Sequence, residues 1–194
     1  MTKTRLEAFC DAVIAIIITI MVLELKVPHD PSWDALKALW PVILSYIVSF
    51  VNLGIYWGNH HHLMHTIREV RGGILWANLH LLFWLSLIPF ATAWMGENHF
   101  ARNTVVIYAL VSNCCGLAYY ILLEVIKKYN PGNEAMLQVL KNQSRKGTFS
   151  CIFYTLAIPA AWIHTGISGA LIILVAVMWL VPDRNIEKAV KGSE

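Results

Sequence analysis

The chain has 194 residues, of which 57% are hydrophobic and only 14% are charged, and it contains eight Trp, seven Tyr and seven Phe residues. Soluble domains carry about 25% charged residues, and a small domain leaves much polar surface in contact with water. The formal net charge of +3 is too small for a disordered or nucleic-acid-binding chain. The composition excludes these classes and predicts an all-α integral membrane protein whose partner is a lipid bilayer.

Stretches without charged residues delimit the predicted membrane spans, since a helix crosses a hydrocarbon core of about 30 Å with about 20 apolar residues. The first stretch, residues 12–23, follows Asp11, and we interpret it as an uncleaved helix because a carboxylate is atypical within a signal peptide. The last stretch, residues 147–182, accommodates two helices around His164-Thr165-Gly166. We predict a single domain, residues 1–194, with six transmembrane helices at about 4–27, 36–65, 73–95, 102–126, 147–164 and 166–182.

The distribution of Lys and Arg predicts the orientation of the chain. With the N-terminus inside, twelve basic residues fall on the inner side and three on the outer side, which is typical of the positive-inside rule. Both termini are then cytoplasmic. We interpret the basic segment at about 128–146 as a solvated inner loop, and its attachment to anionic lipid is the alternative. The inner residues are Lys3, Arg5, Arg68, Arg71, Lys127, Lys128, Lys141, Arg145, Lys146, Arg184, Lys188 and Lys191, and the outer ones are Lys26, Lys37 and Arg102.

Sequence motifs for catalysis are absent. There is no P-loop, no Gly-x-Ser-x-Gly, no His-Glu-x-x-His and no Cys-x-x-Cys. We therefore predict that the chain is not an enzyme and needs no cofactor. The four cysteines fall within predicted spans and are interpreted as small apolar residues rather than a disulfide framework. The Thr-Val-Gly-Tyr-Gly carbonyl filter is also absent, so any ion selectivity needs another origin.

Helix 1 has an apolar stripe on one face and acidic residues on the other. Asp11 and Glu7 lie opposite the stripe at about 100° per residue. A carboxylate in a bilayer is expected to face protein rather than lipid. From periodicity alone, the stripe faces lipid or core, packs on a symmetry mate, or lines a pore. Its members are Arg5, Phe9, Ala12, Ile16, Thr19, Ile20 and Leu23.

Polar side chains recur near the inner ends of helices 2 and 3. His61 and His65 are four residues apart, a spacing that suits a metal pair. Because no cysteine or carboxylate nearby in sequence completes such a site, we predict no metal. We predict instead a hydrogen-bonded network in which a helix 2 histidine is the partner of Asp11. Its predicted members are Arg5, Phe9, Asp11, His61, His62, Trp76, Asn78 and His80.

The segment Arg5-Leu6-Glu7-Ala8-Phe9-Cys10-Asp11 resembles the bacterial homologues of the lysosomal potassium channel transmembrane protein 175, which begin with Arg-x-x-x-Phe-Ser-Asp. Arg5, Phe9 and Asp11 match this pattern. Cys10 replaces the serine, which preserves size but weakens hydrogen bonding. Further matches along the chain are Tyr56-Trp57 to His62, Trp76, Asn78, His80, Phe83-Trp84 and Pro89-Phe90.

This resemblance implies a homotetramer of six-helix subunits in the inner (plasma) membrane of the cell. Four copies of helix 1 would line a central pore that is selective, or weakly selective, for K⁺ among monovalent cations. The pore-lining residues would be Ile16, Ile20 and Leu23, with Thr19 bordering them. The large aliphatic side chains of the first three would form a constriction that gates by dewetting. Glu24 would lie at the outer mouth and raise the local cation concentration, with ordinary loop solvation as the alternative.

Two further expectations accompany the pore hypothesis. We expect Arg5 to be tied to a carboxylate or a helix end, such as Asp11 of a neighbouring subunit, because a ring of free cations would repel K⁺. The main rival function is a proton-coupled secondary transporter that uses Asp11 and the helix 2 histidines as a relay. A membrane enzyme or metal-handling protein built on these histidines is the third hypothesis.

Overall fold

A computed structural model describes residues 2–67, 69–129 and 134–180, apart from the side chains of residues 134–136. Within these ranges the chain is helical and contains no strand, so the predicted all-α fold is confirmed. The helices are α1 (Lys3–Leu23), α2 (Trp33–Ala38), α3 (Trp40–His65), α4 (Gly72–Leu85), α5 (Ile88–Glu97), α6 (Arg102–Tyr129), α7 (Glu134–Ile163) and α8 (Thr165–Leu180).

Four stretches of the described chain are long and apolar enough to cross a membrane: α1, α3, α6 and the combined stretch of α4 and α5. The apolar helix α8 is shorter. The predicted helix 1 extends to residue 27, whereas α1 ends at Leu23 with Glu24 as its C-cap. The predicted helix at 36–65 begins as the separate short helix α2, because Pro41 occupies the first turn of α3 and starts that helix anew.

The predicted helix at 73–95 is divided into α4 and α5 at Ser86 and Leu87. Pro89 has no backbone N–H, and its ring clashes with the carbonyl four residues earlier in a regular helix. The backbone between α4 and α5 instead forms a tighter turn, in which the Leu87 N–H donates to the Trp84 carbonyl three residues earlier at 3.2 Å. The new direction of α5 places Thr92 against α3, where its hydroxyl donates to Ser49 Oγ at 2.8 Å.

The hairpin of α6 and α7 is longer than the sequence analysis predicts. Helix α6 continues to Tyr129, and α7 begins at Glu134 rather than at residue 147, so the basic segment that we interpreted as a loop is mostly helical. Lys127 Nζ contacts Glu124 Oε1 at 2.8 Å, and Ser144 Oγ donates to the same carboxylate at 2.6 Å. These contacts let α6 stabilise the first turns of α7, which sequence alone does not reveal.

The ends of the helices form two groups. At one end, Lys3 Nζ donates to the His65 carbonyl at 2.9 Å, and the Arg71 guanidinium lies 5.3 Å from the Tyr129 ring centre. We call this the basic end, because Lys127 and the basic first turns of α7 are also there. At the opposite end, Lys26 pairs with Glu97, and the Trp40 and Phe100 rings are 5.9 Å apart. Two parts of the prediction lie outside the described residues. They are the end of the last predicted helix, at 181 and 182, and the inner basic residues Arg68, Arg184, Lys188 and Lys191.

Candidate functional site

Helix α1 has one buried and one exposed face. Leu6, Cys10, Ile14, Ile17 and Met21 recur at intervals of three or four residues and pack into the core. The opposite stripe is exposed: 46% of Phe9, 56% of Ile16, 41% of Ile20 and 78% of Leu23 is accessible. The subunit therefore leaves the stripe that the sequence analysis identified without a partner among its own described residues.

Thr19 lies on the same exposed face but does not present a free hydroxyl donor. Its Oγ1 donates to the carbonyl oxygens of Ala15 and Ile16, at 3.0 Å and 2.9 Å. Such bonds satisfy the hydroxyl within the helix. The face is thus dominated by aliphatic surface, with the Thr19 hydroxyl oxygen as a minor polar element.

An open groove runs along the stripe between α1 and α5. Ile16, Ile20 and Glu24 line it from α1, while Phe90 and Trp94 line it from α5. Glu24 is exposed at the opposite end of the groove from the basic end. Glu97, which also borders the groove, accepts a hydrogen bond from Lys26, and this bond raises the pKa of Lys26. Glu24 has no ion-pair partner among the described residues, whereas Glu97 is paired.

Asp11 is bonded to an indole rather than to a histidine. Trp57 Nε1, on α3, donates to Asp11 Oδ1 at 3.0 Å. This differs from the predicted histidine partner: Trp57 lies one helical turn closer to the middle of α3 than His61, on the same face of the helix, and its indole is the group within hydrogen-bond distance of Asp11. The bond gives a carboxylate within α1 a donor from its own subunit, which a polar group in a bilayer requires.

A second polar contact lies behind the exposed stripe, on the buried face of α1. His60 Nε2 is 2.7 Å from Asn78 Oδ1, and Asn78 Nδ2 donates to Cys10 Sγ at 3.0 Å. All three side chains are buried. This chain of hydrogen bonds joins α3, α4 and α1, so Cys10 acts as a hydrogen-bond acceptor as well as a small core residue.

The remaining predicted network residues are distributed over separate contacts. His61 Nε2 is 3.0 Å from His65 Nε2, and His80 Nε2 accepts a hydrogen bond from Trp84 at 2.9 Å. His62 contacts the His61 ring, with 5.9 Å between the ring centres. The side chain of Trp76 is 73% exposed. Of the predicted members, the structure therefore joins Asp11 and Asn78 to α3, but through Trp57 and His60 respectively.

Arg5 and Phe9 lie on the exposed face of α1 rather than inside the subunit. Within the described ranges, the Arg5 guanidinium makes no ion pair and no hydrogen bond; only its backbone N–H is bonded, to Thr2 Oγ1. The expected tie of Arg5 to a carboxylate of a neighbouring subunit lies beyond what a single chain contains. Both side chains lie on the surface of the chain.

Known proteins resemble this chain over most of its length. A model of the family described as the endosomal/lysosomal potassium channel TMEM175 matches residues 5–89. A protein named as a potassium channel from Chryseobacterium sp. (strain P1-3) is 50% identical over 191 residues, which cover 98% of this chain and 99% of that protein. The chain belongs to the TMEM175 family of channels. The resemblance found in the sequence is thereby confirmed.

Further TMEM175 relatives differ in how much of the chain they match. A protein named as a potassium channel from Streptomyces collinus is 35% identical over 126 residues, 61% of each chain. The human protein named as the endosomal/lysosomal proton channel TMEM175 is 32% identical over 115 residues, 53% of this chain and 22% of that protein. These TMEM175 proteins are named as channels, which confirms the prediction that the chain is not an enzyme.

A crystal structure of the lysosomal potassium-selective channel TMEM175 homologue from Chamaesiphon minutus has the same fold. The TM-score is 0.83 with 24% sequence identity, and the match covers 92% of this chain and 96% of that one. The TMEM175 family segment at residues 5–89 includes α1, α3 and α4, the helices joined by the hydrogen bonds of Asp11 and Asn78.

Trp57, His60 and Cys10 take part in these hydrogen bonds although the sequence did not indicate them as network members. The usable signal for Trp57 is its position one turn before His61 on the same helical face, since an indole N–H within a span needs an acceptor. For Cys10, the signal is its position among Leu6, Ile14 and Ile17, where the buried face of α1 approaches α4. Sequence alone does not indicate which of the consecutive histidines faces Asn78.

Proposed function

We propose that the protein is a homotetrameric channel selective, or weakly selective, for K⁺ among monovalent cations. Four copies of α1 would line a central pore, and no cofactor or resident metal would take part in permeation. Each subunit would cross the plasma membrane six times, through α1, α3, the α4–α5 pair, α6, α7 and α8. Both termini and the basic end would be cytoplasmic, in accordance with the positive-inside rule.

The exposed stripe on α1 is the observation that carries this proposal. More than half of the Ile16 side chain and most of the Leu23 side chain remain accessible, although the other face of the same helix is closely packed. A four-fold axis beside this face would bring Ile16, Ile20 and Leu23 of four subunits together. The 50% identity to a protein named as a potassium channel supports the same assignment.

Aliphatic rings at the axis provide a physical route to gating and selectivity. A narrow apolar constriction holds water weakly and closes to ions by dewetting. An ion must lose part of its hydration shell to pass, and K⁺ loses water more readily than Na⁺. We therefore expect selectivity for K⁺ that is weaker than that of a carbonyl filter.

Glu24 would supply the electrostatic part of the mechanism. Its carboxylate lies one turn beyond Ile20 and near Leu23, at the groove end that is farthest from the basic end. Four carboxylates around the outer mouth would raise the local concentration of cations before they reach the constriction. Glu97, which is paired with Lys26, would contribute less to this field.

Proton permeation is a second candidate, favoured by the names of the vertebrate relatives and by the position of Asp11. These relatives are named as proton channels. Asp11 and its partner Trp57 lie within two of the stretches that are apolar enough to cross a membrane. A carboxylate at such a depth is expensive unless it has a partner or a function.

Flux measurements on purified protein in liposomes test these candidates. With a K⁺ gradient and no proton gradient, we expect K⁺ to flow down its gradient, slower Na⁺ flux in a matched vesicle, and stepwise currents in planar bilayers. Protein-free liposomes provide the control. Flux that requires a proton gradient and saturates at low turnover would indicate a transporter, and H⁺ flux without K⁺ flux would indicate a proton channel.

The proposed assembly needs a separate measurement. Particle images of the protein in nanodiscs should show four-fold symmetry, and the mass of the particle should correspond to four chains. A monomeric or dimeric particle that still conducts K⁺ would contradict the arrangement in which four α1 helices form the pore.

A further inference from the structure

The last turns of α3 bring two imidazole nitrogens together at the basic end. His61 and His65 are one helical turn apart and lie on the same face. Their Nε2 atoms are 3.0 Å from each other, with 4.5 Å between the ring centres and 82° between the ring planes. His65 is exposed, so the pair is accessible from solution.

This geometry fits chelation of a metal ion. Bonds of about 2.0–2.1 Å from imidazole nitrogens, meeting at about 90–110°, place the two nitrogens roughly 2.9–3.4 Å apart. Two histidines at positions i and i+4 on one helix also hold zinc in the His-Glu-x-x-His motif. We propose that His61 and His65 form a binding site for a divalent first-row transition-metal ion, coordinated through both Nε2 atoms.

Glu7 and Lys3 on α1 place charges of both signs beside the pair. Glu7 Oε1 is buried without a hydrogen-bond partner and lies 3.9 Å from Lys3 Nζ, which in turn donates to the His65 carbonyl at 2.9 Å. No group of three or more His, Cys, Asp or Glu side chains in the described part of the chain forms a complete metal site. Water therefore fills the remaining coordination positions, and the site binds more weakly than a structural zinc site with four protein ligands.

We predicted no metal from the sequence because no third ligand is apparent nearby. Chelation by two imidazoles, however, does not require a third protein ligand. Imidazole is a good ligand for Zn²⁺, Cu²⁺ and Ni²⁺, whereas K⁺ has no preference for it. The site is thus separate in chemistry and in place from the proposed pore, whose stripe lies on the exposed face of α1.

Calorimetric titration of the tag-free, full-length protein with Ni²⁺ tests the proposal. We expect one Ni²⁺ per chain and a rise in the apparent melting temperature with Ni²⁺ concentration, because a ligand that binds only the folded state stabilises it. His61→Ala and His65→Ala should each weaken Ni²⁺ binding at least tenfold and remove the thermal shift. His62→Ala is the matched control, since this neighbour lies outside the pair, and it should bind Ni²⁺ as the parent protein does.

Two results would overturn the proposal. One is the absence of Ni²⁺ binding at millimolar concentration, in which case the 3.0 Å contact is an ordinary hydrogen bond between two imidazoles. The other is binding that His61→Ala and His65→Ala leave unchanged, which would place the metal elsewhere. Neither result depends on ion flux, so the outcome is independent of whether the protein conducts K⁺.

Discussion

The indole N–H of Trp57 donates to the carboxylate of Asp11 at 3.0 Å and thereby ties α3 to α1. Asp11 is half-buried in the subunit, so its carboxylate keeps part of its solvation when the indole donor is removed. For Trp57→Phe we expect a loss of about 0.5–1.5 kcal/mol, the net contribution of an ordinary hydrogen bond, which lowers the apparent melting temperature by about 2–4 °C per kcal/mol for a chain of this size. Thermal unfolding in detergent measures it.

The control for this variant is Trp76→Phe, because Trp76 is 73% exposed and its indole makes no hydrogen bond among the described residues. It removes the same N–H group from the neighbouring helix α4. An equal loss of stability in both variants would show that the Asp11 contact contributes nothing specific.

Asn78 connects two buried partners, His60 and Cys10. Asn78→Leu preserves volume but leaves the His60 ring nitrogen without its partner, so we expect a loss of about 1–3 kcal/mol. The double variant with His60→Leu should lose less than the sum of the two single variants, because no orphaned polar group then remains. Additive losses measured by thermal unfolding would indicate that the two side chains act independently.

Cys10→Ser is expected to be tolerated. The serine hydroxyl is a better acceptor for the Asn78 amide than the thiol, and the two side chains are similar in size. Cys10→Leu instead forces extra volume into a fully buried position and should cost about 1–3 kcal/mol. If the two variants melt at the same temperature, the packing around Cys10 is looser than the structure indicates.

Gly96 allows α5 to approach α3 closely. A Cβ at this position would overlap the Ser45 hydroxyl and lie 2.8 Å from Val42 Cα. Gly96→Ala should therefore separate the two helices at a cost of about 1–3 kcal/mol. Gly54→Ala, where nothing lies within 4 Å of the added Cβ, is the matched control and should melt at the parent temperature or slightly above it. A smaller loss at Gly96 than at Gly54 would contradict this packing.

Ile16→Asn tests the proposed constriction. An amide in each of four subunits would hold water at the ring, so we expect faster cation flux and a K⁺/Na⁺ permeability ratio that moves toward one. Ile173→Asn places the same amide on the exposed surface of α8 and should leave the ratio unchanged. If Ile16→Asn, Ile20→Asn and Leu23→Asn all retain the parent ratio in liposomes, selectivity arises elsewhere.

The two faces of α1 could be predicted from sequence because helical periodicity decides which residues share a face. Ile16, Ile20 and Leu23 are indeed exposed together, opposite Ile14 and Ile17. Their proposed role in permeation depends on how several copies of the chain pack together, which helical periodicity does not encode.

Features that depend on tertiary contact were not predictable in the same way. Successive residues on a helix are rotated by about 100°, so the run His60-His61-His62 presents a histidine to almost every direction, and only the position of Asn78 decides that His60 is the buried one. The first turns of α7 are rich in charged residues, and their low hydropathy is typical of a loop. They are helical in the structure, where α6 continues beside them and its Glu124 and Lys127 both bond to Ser144 of α7.

The side-chain hydrogen bonds that join α1 to neighbouring helices are concentrated in its first half. Lys3, Cys10 and Asp11 bond to α3 or α4, whereas from Ala12 to Leu23 the described contacts with neighbouring helices are apolar, through Ile14, Ile17 and Met21. Apolar contact is not directional, so it resists rotation about the helix axis less than a hydrogen bond does. The half that carries Ile16, Ile20 and Leu23 is therefore held sideways only by non-directional contacts, between the Asp11–Trp57 bond below it and the Lys26–Glu97 ion pair beyond its end. In the proposed tetramer, this is the part of α1 whose rotation would change which aliphatic side chain faces the pore.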